Sequence, residues 1–364
     1  MLYRRLSASS GDGSSTVVSS HVEVVAAGDM HTMALTQDGS MYAAGENMYG
    51  QLGDGSATGN NFFVKVFSGG ASAIAASTSY SMIVKRDGSL WATGSNVFGQ
   101  FGDGSDSHEA QQFGDGARRV DPADRRSFGK VVSGGVTAVS TGDSHSMIVK
   151  EDGSVWASGE NMYGQLGDGS TIDSRSFVMV VATGAKAAAA GSSHSMVLKQ
   201  DGSVWVTGDN NAGQLGDGST TNRHSFVNVL SSGATAVTAA SGYSMMVKQD
   251  GSLWATGSNN RGKRWSTSMV FVKVFSGVKA VDTAFDHSVV LKQYGSVWTT
   301  SPNRRINMFE RVVPSGVMAV GARMEFSIMV MADGNVWSLG NNRWGQLGDG
   351  SKVFAYPDSV PGQC

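Results

Sequence analysis

Four histidines, His31, His145, His194 and His287, stand at one place in a unit that recurs along the chain. Imidazoles at matched positions are what a ring of metal ligands or acid–base groups would need. Tyr80, Tyr243 and Phe326 fill the same place in other copies, so the position calls for a ring that sometimes hydrogen-bonds, and neither a metal nor a proton shuttle is expected there. Asp54, Asp103, Asp168, Asp217 and Asp349 sit in Gly-Asp-Gly-Ser loops. Each loop offers one carboxylate, whereas a calcium loop spaces several oxygen ligands along its length; an Asp that bonds its own turn is expected instead. No Gly-Lys-Ser or Gly-Lys-Thr follows a glycine cluster, which excludes a P-loop. The single cysteine, Cys364, permits no internal disulfide and no cysteine-based metal site. No nucleophile with a base, and no carboxylate pair, stands apart from the repeat. The expectation is a chain with no catalytic residues, no metal and no cofactor.

The elements that position these residues follow from the repeat itself. An Asp-Gly step, with Tyr294 replacing Asp in one copy, places glycines at Gly39, Gly88, Gly153, Gly202, Gly251, Gly295 and Gly334. An upstream marker, Gly70, Gly135, Gly184, Gly233, Gly277 or Gly316, with His21 in the first copy, lies 18 residues before each. The intervals from each Asp-Gly glycine to the next marker are 31, 47, 31, 31, 26 and 21 residues, so all length variation falls in one half. Each copy holds four short apolar runs. Asp-Gly between two of them predicts a type I′ hairpin. Runs of small residues, such as Ala187 to Ala190, fit strands converging on a crowded axis. Trp91, Trp156, Trp205, Trp254, Trp298 and Trp337, with Tyr42 in the first copy, are expected to plug the cores between neighbouring sheets. The reading is all-β: a seven-bladed propeller of four-stranded antiparallel blades. Val17 and Val18 match the outer-strand register, so the N-terminal segment is expected to close the ring.

Of 364 residues, 49 are Gly and 5 Pro, with 40% hydrophobic and 16% charged. Average usage would give roughly 25 glycines; the excess is repeat punctuation. The aromatic content argues against a disordered low-complexity chain. A net charge of -2 supplies no global field for nucleic acid or an anionic membrane. No apolar run reaches the ~18 residues of a membrane helix. Residues 1–15 read as a disordered leader with a faint resemblance to an organelle transit peptide, and 16–364 as one propeller.

A block Gly-x-Asn-x-x-Gly-Gln-Leu-Gly-Asp-Gly-Ser recurs nearly intact over residues 45–56, 94–105, 159–170, 208–219 and 340–351. Its Asn persists as Asn47, Asn96, Asn161, Asn210, Asn259, Asn303 and Asn342, as expected of a buried amide that satisfies backbone groups. With the His-Ser-like turn and the Asp-Gly-Ser-Val-Trp hairpin, this block resembles the RCC1 (regulator of chromosome condensation) repeat family over residues 21 to about 352. The resemblance implies a seven-bladed propeller. It constrains function weakly, because members range from an exchange factor for the Ran GTPase to domains of ubiquitin ligases.

Departures from the repeat are then the informative positions. An insertion within 106–126 carries Arg118, Arg119, Arg125 and Arg126. Copies five and six replace the acidic block with Arg261, Lys263, Arg264 and Trp265 and with Arg304 and Arg305, and copy seven adds Arg323, Arg343 and Trp344. Alternating strand directions put the long loops and the turns before the His position on one face. These residues are the candidate partner-binding set. Three readings follow: a non-enzymatic interaction scaffold, nucleotide exchange on a Ran-like small GTPase, and chromatin or DNA association through a basic rim. A monomer with a protein partner, off the membrane and in cytoplasm or nucleus, is expected.

Overall fold

Each Asp-Gly-Ser step turns one strand back on the next. In the first, Thr36 N–H donates to the Ser40 carbonyl at 3.0 Å and Gly39 N–H to the Thr36 carbonyl at 2.8 Å, while Gly39 has φ +79°. The loop therefore has three residues, with glycine alone in the left-handed region. That is a type I turn with a bulge, not the expected type I′ turn. The Asp38 carboxylate accepts from Ser40 N–H at 2.8 Å, which fixes the turn and leaves Asp38 no need of positive φ.

The computed structural model describes residues 4–5, 21–105, 125–258, 267–285, 287–300 and 309–351, and every regular element within them is a β-strand. The strands form seven four-stranded antiparallel sheets, the blades of a propeller. Blade 1 runs from an inner strand, Val22–Ala27, through His31–Thr36 and Met41–Gly45 to an outer strand, Asn60–Phe67. Blades 2 to 6 repeat this order over 71–132, 136–181, 185–230, 234–275 and 278–313. Blade 7 supplies three strands over 317–340 and takes its fourth from the N-terminus, Arg4 facing Ser338 and Arg5 facing Trp337. The N-terminal segment thus closes the ring, through Arg4–Arg5 within the stretch read as a leader; Val17 and Val18 lie outside the described residues. The sequence copies also run out of phase with the blades, since the first run of each copy is the outer strand of the preceding blade.

Small residues do line the innermost strands, as in Ala185–Ala190. There is one apolar core per blade interface, including that between blades 7 and 1, where Val22, Val25 and Ala34 meet Ile328 and Val330. The tryptophans pack against these cores but remain half-buried. Trp205 donates its indole N–H to Ser203 Oγ at 3.1 Å, and the Lys199 ammonium lies 4.6 Å from its ring centroid. Lys150 and Lys248 cover Trp156 and Trp254 at 4.1 and 3.9 Å. The lysine stem shields apolar surface while its charge faces the ring's electron-rich face.

Candidate functional site

The long loops are built from the Asn outward. Asn161 Nδ2 donates to Asp168 Oδ1 at 3.1 Å and to the Ile172 carbonyl at 3.1 Å, and its Oδ1 accepts from Leu166 N–H at 3.0 Å. Asn47, Asn96, Asn210 and Asn342 also hold their own loops through both amide atoms. Asn259 and Asn303 lie outside the described residues. With the amide spanning the loop, the Asp is consumed within it, and the Gly-Asp-Gly-Ser block is a structural device.

Each such loop also clamps the next blade. Gly55, Gly104, Gly169, Gly218 and Gly350 N–H groups donate at 2.8 to 2.9 Å to the outer-strand carbonyls of Arg126, Arg175, His224, Met269 and Asn61. The last of these ties blade 7 to blade 1. Gly167, at φ +79°, has the Phe226 ring 2.5 Å from where a Cβ would stand. Gly169, at φ +89°, has nothing nearer than 3.6 Å. Gly167→Ala is therefore expected to cost about 3 kcal/mol, strain plus overpacking, against about 1 kcal/mol for Gly169→Ala, which carries conformational strain alone. Urea unfolding of the two variants checks this; equal losses would refute the close seat of the Phe226 ring against Gly167.

Between its Asn and the following Gly each loop carries two residues that are half-buried or exposed. They are Met48 and Tyr49, Val97 and Phe98, Met162 and Tyr163, Asn211 and Ala212, and Arg343 and Trp344. The turns before the His position share the loops' face, since Glu160 N–H donates to the Ser144 carbonyl at 2.9 Å.

The His position binds blade to blade. His31 Nε2 lies 2.7 Å from Ser81 Oγ of blade 2, and Ser81 Oγ donates to the Gln51 carbonyl at 2.8 Å. The single hydroxyl proton is thus spent, so Nε2 must carry a proton, and burial with no partner at Nδ1 keeps the ring neutral. His145 and His194 repeat this with Ser195 and Ser244. Their Nδ1 atoms, like that of His31, are buried without a hydrogen-bond partner. Burial lowers the three pKa values to about 4, about 3 and about 4 for His31, His145 and His194. Tyr80 serves the same joint, its hydroxyl donating to the His145 carbonyl at 2.7 Å. Among the described residues no group of three or more His, Cys, Asp or Glu side chains is arranged to hold a metal.

Five of the thirteen candidate partner-binding residues lie among the described residues; Arg118, Arg119, Arg261, Lys263, Arg264, Trp265, Arg304 and Arg305 lie outside them. The five do not form one patch. Arg125 and Arg126 open the outer strand of blade 2, and Arg125 pairs with Asp103 and lies over the Phe101 ring. Arg343 is exposed on the blade 7 loop with its guanidinium 5.3 Å from the Trp344 ring centroid. Arg323 turns inward to the propeller axis. Its Nε lies 2.8 Å from Asp29 of blade 1 and its Nη2 2.6 Å from Asp143 of blade 3, and Thr78 of blade 2 donates to Asp29 at 2.9 Å. This axial ion network was missed in the sequence.

A model of the RCC1-like domain family matches residues 7–267. No curated protein matches the sequence. Among solved structures, human WBSCR16 is similar at 14% identity and a TM-score of 0.70, covering 88% of this chain and 87% of that one. Prp20p from Saccharomyces cerevisiae is similar at 18% identity and 0.68, covering 87% and 82%. Yeast RCC1 (Prp20) in its Kap60 complex gives 18% and 0.66, covering 87% and 80%. At these identities the likeness is one of fold.

Proposed function

Because the chain belongs to the RCC1-like domain family, we propose that it is a non-enzymatic interaction scaffold that presents its long-loop face to a protein partner. The observation that carries this reading is the division of labour in the loops. Asn, Asp and Gly are spent on the frame, and the pair between Asn and Gly varies from Met-Tyr to Arg-Trp between blades. Aromatic, Met and Arg side chains on a rigid frame are the residue types enriched in interface cores. The basic departures at Arg304 and Arg305, with Arg261 and Arg264, replace the same block of the repeat and are proposed as contacts for the same partner. Reversing Arg304 and Arg305 to Glu is expected to leave the melting temperature unchanged and to remove at least one partner from pull-downs. An unchanged partner list refutes that patch. Deleting the insertion only as far as the residue before Arg125, which opens the outer strand of blade 2, tests Arg118 and Arg119 in the same way.

A second reading is nucleotide exchange on a Ran-like small GTPase. The likeness to Prp20p, whose structure was described together with its binding to Gsp1p and histones, favours it, and the histones extend the same argument to a chromatin-associated role. Stopped-flow GDP release from Ran discriminates: no acceleration at micromolar protein removes the exchange reading.

A further inference from the structure

On the long-loop face, blades 2 and 3 share an open depression lined by Phe98, Met162, Thr171, Ile172, Asp173 and Arg175. Met162 is 63% and Ile172 76% exposed, and with Phe98 they line one depression, so the apolar surface is contiguous, as at a docking site. Carboxylates crowd its inner edge. Asp173 Oδ1 accepts from Asn161 N–H at 2.8 Å, beside Glu160, whose own N–H bonds the turn that carries Asp143. Burial, then Asp173, then Asp143, raise the Glu160 pKa, so Glu160 and Asp173 are two neighbouring carboxylates that repel each other there. Arg323 neutralises Asp143 together with Asp29, so Glu160 and Asp173 are the carboxylates left facing the depression. Arg175, at the outer lip, is itself partnered.

The geometry points to this depression as the docking site for a segment of a partner protein that alternates lysine or arginine with aliphatic side chains. The aliphatic groups would cover Phe98, Met162 and Ile172, and a cation would reach the Glu160–Asp173 edge. Charge complementarity selects this occupant over an acidic segment, for which the same edge is repulsive. The inference rests on the scaffold reading and gives its partner a chemistry.

The probe is a fluorescein-labelled peptide of about twelve residues, alternating leucine with lysine and arginine, titrated by fluorescence anisotropy with the whole chain. Two relatives serve as comparators, one with glutamate for the cations and one with serine for leucine. The basic apolar peptide is expected to bind, and to weaken roughly tenfold in Ile172→Ser and in Glu160→Gln, and again between about 50 and about 300 mM salt. Tyr294→Ser, at an 89% exposed residue in a hairpin at the opposite end of its blade, should bind like the parent, and thermal melts verify that each variant is folded. No binding, equal binding by all variants, or self-association through this face in sedimentation overturns the proposal. Preference for the glutamate peptide overturns it too while sparing the scaffold reading, which the Arg304 and Arg305 pull-down tests separately.

Discussion

Arg323→Met is expected to destabilise the propeller by about 3 kcal/mol, because it leaves two carboxylates without their shared cation. Arg323 joins blade 7 to blades 1 and 3 across the axis, a span that no hydrogen bond between adjacent blades provides. The Asp29 side of the pair is well buried, so breaking it strands a charge; Asp143 is 43% exposed and contributes less because solvent screens it. For a chain of this size the change corresponds to a fall in melting temperature of about 4 °C. Adding Asp29→Asn to Arg323→Met should restore part of the loss by removing the stranded charge, whereas Asp29→Asn alone should destabilise. If the double variant is as unstable as the sum of the two singles, the network has no energetic coupling and is only a surface arrangement.

Arg323 also shows where sequence reading failed. Its place in the turn is held by Gly28, Ser77, Gly142, Gly191, Ala240 and Ala284 in the other blades, and a Cβ on Gly28 would lie 2.3 Å from the Ser77 carbonyl oxygen. A small residue in six copies and an arginine in the seventh was a visible signal. Read as a charge on a rim, it pointed outward; read as a departure at a crowded axial position, it points inward. The blade itself was legible because errors average over seven copies: no single Trp proves a strand position, but a fixed interval to each Asp-Gly step does. The phase of blade against repeat was not legible, because periodicity is blind to which neighbouring strand a run hydrogen-bonds. Nor was the hairpin type, since Asp-Gly satisfies both a type I′ turn and a type I turn with a glycine bulge, and the choice lies in whether two or three residues are looped out. The half-exposed tryptophans belong to the same class of miss. Their lysine covers sit at the end of the preceding strand, as Lys199 does for Trp205, and only strand pairing brings them together.

The buried histidines lead to the second large effect, a loss of stability on mild acidification. A histidine whose folded pKa lies below its unfolded value near 6.5 binds a proton more readily when unfolded. Its contribution is complete above pH ~6.5 and is lost as pH falls toward the folded value, about 4 for His31 and His194 and about 3 for His145. Burial is the main cause in all three. A second proton would have to sit on an Nδ1 that faces no acceptor. Each histidine gives a slope of about 1.4 kcal/mol per pH unit, so three give about 4 kcal/mol per unit and a loss of roughly 6 kcal/mol by pH 5. That is comparable to the whole stability of an ordinary domain. Asp282 works in the opposite sense, since burial raises its carboxyl pKa and its protonation at lower pH favours the folded state. Urea unfolding at pH 7.5, 6.5, 5.5 and 5 (all within about 2 units of neutrality) should show a steep fall beginning near 6.5. His194→Tyr copies the side chain that Tyr243 uses at the same joint, with its hydroxyl 2.8 Å from the His287 carbonyl oxygen. This variant should fold and should flatten the slope by about one third. A stability that stays level from pH 7.5 to 5 would mean that the rings are hydrated or already charged, and the neutral blade-to-blade joint would be wrong.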